Sequence, residues 1–141
     1  MTSKNKHTLV VNASTSHLAD VRDFVAERSR EYGFDEETIS DIRLAVDEAC
    51  TNIIKHAYQY DEEKRVEIQV GLKDNALWVC LTDTGDTFDP NSYSKPDLYK
   101  QMKNRKRGGV GVFLIRELMD EVEYSRDNES NTIKMVKYRT E

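Results

Sequence analysis

What this sequence has little of narrows it before any motif is read. No apolar run approaches the roughly 18 residues that a membrane helix needs, and the polar start, Met1 to Lys6, leads into no signal-type segment. The two cysteines, Cys50 and Cys80, supply neither a disulfide framework nor the spacing of a zinc site. Both lie in apolar stretches and read as buried free thiols, which suits a reducing cytoplasm. His7, His17 and His56 share no metal-ligand spacing. With two prolines, six glycines and no internal repeat, nothing reads as a low-complexity segment. Familiar nucleotide motifs are missing too. There is no G-x-x-x-x-G-K-[ST], so a P-loop is excluded. Gly109-Val-Gly111 lacks the third glycine and the preceding strand of a dinucleotide fingerprint. The His-Arg-Asp and Asp-Phe-Gly elements of eukaryotic-type protein kinases are absent.

What is present is ordinary in amount and uneven in placement. The chain has 141 residues, 38% hydrophobic and 33% charged, which fits one soluble globular domain over 1–141 with a core of its own. Its net charge is −5. Six cations (Lys95, Lys100, Lys103, Arg105, Lys106, Arg107) face one anion, Asp97, within a thirteen-residue stretch, so that stretch carries +5 and the remainder −10. An acidic remainder argues against a broad nucleic-acid surface and favours a local anion target, a phosphate or an acidic patch on a partner. A solvated charged loop accounts for the same charges.

The hydrophobic periods give an order of elements. Thr8 to Val11 reads as a strand and Ser16 to Tyr32 as a helix stopped by Gly33. Asp35 caps a second helix that runs to about Tyr58, with Ile39, Ile42, Val46, Ala49, Cys50, Ile53 and Ala57 as its buried stripe. The period then becomes two through Val66, Ile68, Val70 and Leu72. Lys73 to Asn75 turns the chain into a second strand, Ala76 to Thr82. Residues 86–108 have no sustained period and fit a lid. A helix over Gly109 to Met119 and a hairpin, Val122 to Ser125 and Thr132 to Tyr138 across a turn at Arg126 to Asn131, close the chain. The order predicts an α+β fold: a two-layer α/β sandwich with a mixed, mostly antiparallel sheet and helices on one face.

Three segments carry chemistry. On the second helix, Glu48 and Asn52 stand at i and i+4 and so share a face, with Asp41 and Ala45 on the turns before, opposite the buried stripe. Taken alone this reads first as a solvated helix face. As a site, Asn52 offers an amide oxygen to a hard cation such as magnesium, and Glu48 a carboxylate to orient or deprotonate a nucleophile. Asp83-Thr-Gly85 follows a buried strand. Alone it is a common turn; as a site, the carboxylate accepts from an exocyclic amine such as that of adenine, and Gly85 lets the backbone pass close to a ring. Gly108-Gly-Val-Gly111 opens a helix, where free N–H groups and the dipole attract phosphate, next to Arg107.

In this order the segments resemble the boxes of the GHKL ATPase superfamily: the N-box in Glu48-Ala-Cys-Thr-Asn-Ile-Ile-Lys-His-Ala-Tyr58, the first glycine box in Asp83-Thr-Gly-Asp-Thr-Phe-Asp89, the second in Gly109-Val-Gly-Val-Phe-Leu-Ile115. Within it the chain is most similar, over nearly its whole length, to the small bacterial anti-sigma-factor serine kinases of the general-stress and sporulation type. The leading strand and helix, the Glu-Ala-x-x-Asn and Asp-x-Gly-Asp-x-Phe-Asp forms, and Leu118-Met-Asp-Glu-Val122 carry that similarity. Thr87 stands where the broader superfamily has a second glycine. The resemblance implies a Bergerat-type fold that binds ATP with Mg2+. Glu48 would be the catalytic base, Asn52 the magnesium ligand, Asp83 the reader of the adenine amine with Gly85 beside the ring. Arg107 would be a lid arginine, Gly108, Gly109 and Gly111 the phosphate cradle, and Thr132 an adenine-side contact. It implies a cytoplasmic homodimer that phosphorylates a STAS-type anti-anti-sigma protein on serine and sequesters a sigma factor by partner switching, without nucleic acid or membrane. A non-catalytic ATP-dependent switch, a GHKL-like ATPase hydrolysing ATP with water, and nucleic-acid binding through Lys95 to Arg107 are the rival expectations.

Overall fold

The computed structural model describes residues 6–85, 108–127 and 129–139, with 108–112 described in their backbone alone. Strand β1, His7–Asn12, leads into a 3-10 turn, Thr15–His17, whose entry is capped by the Ser14 hydroxyl accepting from the Ser16 N–H at 3.2 Å. Helix α1 therefore starts later than the periodicity predicts, spanning Leu18–Glu31, and the chain turns away at Gly33 with φ 90. Asp35 caps α2, Glu36–Asn52, by accepting from the Thr38 N–H at 2.8 Å, with Glu36 and Glu37 in the first turn where the dipole favours them.

The helix expected to reach Tyr58 changes character on the way. From Ile53 to Ala57 it continues as a π-helical turn. The N–H of Tyr58 donates to the carbonyl of Ile53 at 2.9 Å and that of Tyr60 to Ile54 at 2.8 Å. Positive φ at Gln59 and Tyr60 then ends the run. Such a turn holds one residue more than an α turn and shifts the residues after it around the helix axis.

Strands β2, Arg65–Lys73, and β3, Ala76–Asp83, form the expected hairpin, with φ 52 at Asp74 and 66 at Asn75, the two left-handed residues of a tight primed turn. Helix α3 spans Gly108–Leu118, followed by β4, Glu121–Asp127, and β5, Ser130–Tyr138. This second hairpin is tighter than expected. Four of the residues read as turn formers belong to the ladder instead, with Arg126 opposite Asn131 and Asp127 opposite Ser130.

The strand order is β1-β2-β3-β5-β4. Every neighbouring pair is antiparallel, so the sheet expected to be mixed is antiparallel throughout its described strands. The α+β sandwich is otherwise as predicted. Val66, Ile68 and Val70 of β2, Leu77, Val79 and Leu81 of β3, and Ile133 and Met135 of β5 form the buried face, under a helical layer that contributes Val21, Val25, Ile39, Ile42, Val46, Cys50 and Ile115. Burial at this extent supplies the main stabilisation, about 25 cal/mol per Å² of apolar surface.

Candidate functional site

The alternation of β3 ends on an unexpected residue. After Leu77, Val79 and Leu81, the fourth inward position is Asp83, 5% exposed. A carboxylate there is stable only if its lone pairs are used. Its Oδ1 accepts from the Gly85 N–H at 2.8 Å and from Asn131 Nδ2 at 3.0 Å. Its Oδ2 accepts from no described residue. The geometry is that of a carboxyl group held by one oxygen, with the other unpartnered among the described residues.

The turn after Asp83 is fixed from a second side. The Tyr58 hydroxyl donates to the carbonyl of Arg65 at 2.6 Å and accepts from the Thr84 N–H at 2.8 Å. Gly85 lies against the π turn: a side-chain carbon placed there would overlap the Ala57 carbonyl, 2.7 Å from its carbon and 2.9 Å from the Ala57 Cβ. Among the described residues, this contact accounts for the glycine that the sequence assigns to a passing ring. It also ties the end of the Glu48 to Tyr58 segment to Asp83-Thr-Gly85.

Glu48 and Asn52 lie on α2 just before that contact. The wet stripe of α2 is Glu36, Glu37, Ser40, Arg43 and Leu44, all exposed, whereas Asp41, Glu48 and Asn52 are half-buried and Ala45 is sealed. The face expected to stand opposite the buried stripe is instead a flank of it. The reason is that both α1 and α3 pack on α2, leaving one narrow side to water. A solvated helix face is therefore not what holds Glu48 and Asn52. Asn52 has no hydrogen-bond partner among the described residues, and its amide oxygen is a hard-oxygen donor. Among the described residues no three His, Cys, Asp or Glu side chains gather as a metal cage. Magnesium, which keeps waters and takes phosphate oxygens, suits such a sparse set.

Gly108, Gly109 and Gly111 occupy the first two turns of α3, which places the glycine run at a helix N-terminus as expected. Arg107 and residues 86–107 of the expected lid lie outside the described residues. Thr132 is not brought to Asp83. Its hydroxyl meets that of Thr82 at 3.2 Å on the far face of the sheet, and its neighbour Asn131 faces Asp83 in its place. Tyr58 and Asn131 are the residues that sequence reasoning missed. Tyr58 carried a signal, at the end of the box containing Glu48; Asn131 did not, because it sits in a run of turn formers.

The family described as histidine kinase-like ATPase domain matches residues 11–137. The chain belongs to that family. A protein of Bacillus thuringiensis named serine-protein kinase RsbW is 33% identical over 137 residues, covering 94% of this chain and 84% of its own. Among solved structures, the RsbU and RsbW domains of a Mycobacterium tuberculosis protein align with a TM-score of 0.69 and 18% identity, covering 95% of this chain and 32% of that one. The SiaB–SiaC complex from Pseudomonas aeruginosa aligns with a TM-score of 0.68 and 16% identity, covering 92% and 88%. At these identities the two structures speak for the fold. The resemblance drawn from the three boxes is borne out, and family membership implies the use of ATP. Among the described residues no helix is long and apolar enough to cross a membrane.

Proposed function

We propose that this chain is an ATP-dependent serine protein kinase of the anti-sigma type, which phosphorylates a STAS-type partner on serine and binds a sigma factor in alternation with it. The observation that carries the reading is Asp83, a buried carboxylate with one oxygen fixed and the other without a partner among the described residues, next to the end of the helix that bears Glu48 and Asn52. The relatives named serine-protein kinase support the choice of reaction. In this reading Asp83 accepts from the adenine amine, with Gly85 shaping the turn beneath it. Gly108, Gly109 and Gly111 give the triphosphate free N–H groups at the start of α3, and Arg107, adjacent in sequence, adds charge.

Asn52 would hold magnesium, which supplies charge neutralisation on the phosphates when bound. Phosphoryl transfer asks the protein for position and electrostatics more than for covalent help. Glu48 would accept the proton of the attacking serine hydroxyl. Half-burial on the flank of α2 keeps it out of bulk water while leaving it reachable. A homodimer and the lid over residues 86–108 belong to the same proposal.

The test uses labelled ATP, a candidate STAS domain and the Glu48→Ala variant. The expected outcome is labelled serine with the wild type, and a variant that binds ATP within about twofold of wild type while transfer falls at least about a hundredfold, the scale of a lost general base. Normal transfer by the variant removes Glu48 as the base. A stable complex without label in the wild type means that the chain is an ATP-dependent binding switch instead.

A further inference from the structure

Asp83, Asn131 and Arg126 form a row across three strands. Asn131 stands directly opposite Asp83 in the β3–β5 pair and directly opposite Arg126 in the β4–β5 pair. Directly opposed residues point to the same face, so all three side chains lie on the helix side of the sheet. Arg126 Nη1 donates to Asn131 Oδ1 at 2.7 Å. Asn131 Nδ2 donates to Asp83 Oδ1 at 3.0 Å and to the Gly85 carbonyl at 3.1 Å. An amide has one carbonyl oxygen and two N–H donors, and here each has a partner. Reversing the amide would place its oxygen against a carboxylate and a carbonyl, and its N–H groups against a guanidinium. Arg126 thus fixes which end of Asn131 meets Asp83.

We propose that Asn131 is a specificity-setting positioning residue for the nucleotide base, oriented by Arg126. It deepens the reading that Asp83 accepts from an exocyclic amine and rests on that reading. The clip acts through Asp83. It occupies Oδ1 from one side and holds the carbonyl at the other end of the three-residue turn, so the carboxylate is held against rotation and Oδ2 is the oxygen left for the base. An acceptor so fixed favours a purine carrying an amino group at position 6 over one carrying a carbonyl there, which would set two acceptors against each other. A released carboxylate can turn, take water or meet the base at a poorer angle, and the preference shrinks.

The experiment compares dissociation constants for ATP and for ITP, which differ in that one group, for wild type, Asn131→Ala and Arg126→Met, each checked for native circular dichroism. The expected result is that wild type prefers ATP, that Asn131→Ala weakens ATP about tenfold, the scale of a lost hydrogen bond to a charged group, and that ITP changes less than about twofold. Arg126 is exposed, so Arg126→Met leaves the fold in place and moves the ratio the same way, by about threefold. A purely structural role would lower both affinities together, and that outcome overturns the proposal. A wild type that discriminates beside an Asn131→Ala that keeps the full ratio overturns it as well, while leaving Asp83 as the reader. A wild type that binds both nucleotides equally overturns the adenine reading and the positioning role with it.

Discussion

A methyl group at residue 85 has no room. The Ala57 carbonyl and Cβ already fill the position, and both belong to a turn whose neighbours Ile53, Ile54 and Tyr58 are buried, so neither can retreat cheaply. Gly85→Ala must move the turn after β3 or the π turn under it. Either shift disturbs the bonds from Tyr58 and Asn131 that hold the turn. The expected cost is about 1–3 kcal/mol, the range for overpacking against structure that cannot repack. Urea unfolding of wild type and variant measures it directly. An unchanged midpoint would mean that the turn yields freely and that the contact is not structural. Asp83 explains why the rigidity is there. A buried carboxylate is tolerated only while its bonds persist, so the residues around it are chosen to keep the turn still.

At the scale of elements, the π turn is what brings the segment from Glu48 to Tyr58 against the segment from Asp83 to Gly85. Its extra residue places the Ala57 carbonyl under Gly85 and the Tyr58 hydroxyl between Arg65 and Thr84. Deleting His56, an exposed residue inside the turn, is predicted to restore α-type bonding and pull that junction apart, displacing Ala57 and Tyr58 but leaving the rest of the core packed. ATP affinity should fall by about tenfold or more while thermal unfolding stays cooperative. Unaltered affinity would remove the π turn from the site. This element also marks where sequence reading stops. The alternation of β2 and β3, the stop at Gly33, the cap at Asp35 and the turn at Asp74 and Asn75 were legible, because each rests on a local pattern or a residue of special conformation. The π turn was not, since Ile53, Ile54 and Ala57 fit either helical period. Nor was the place of Asn131, since it depends on which strand lies beside β5. The flank position of Glu48 and Asn52 needed the packing of α1 and α3, which no single helix records.

Across the whole molecule, the site rests on buried thiol and phenol groups that the fold keeps protonated. Cys50 lies between Glu48 and Asn52 in sequence and faces inward, and burial, with a smaller contribution from Asp47, pushes its thiol up to about 12 from 9.0. Tyr124, packed against the core, is pushed up to about 12 from 10.0 by burial, with Arg116 opposing. Cys80, half-buried on the other side of the sheet, is raised by burial in the same direction. In each case the folded chain keeps a proton that the unfolded chain releases. Between pH 9 and 12 the native state therefore binds more protons than the unfolded state, and stability falls as pH rises, by up to about 1.4 kcal/mol per pH unit each for Cys50 and Tyr124 once the unfolded group is ionised. Below about pH 8 these groups are protonated in both states and contribute almost no slope. The prediction is a flat urea midpoint from these groups between about pH 7 and 8, then a decline that steepens above pH 10 as Tyr124 joins. Cys50→Ala isolates the thiol under the site, because it removes that group's share of the decline between about pH 8.5 and 9.5, where Tyr124 contributes little. A variant that declines as steeply as wild type over that interval would show that Cys50 is not protected from ionisation, and that water reaches the inner face of the helix that carries Glu48 and Asn52.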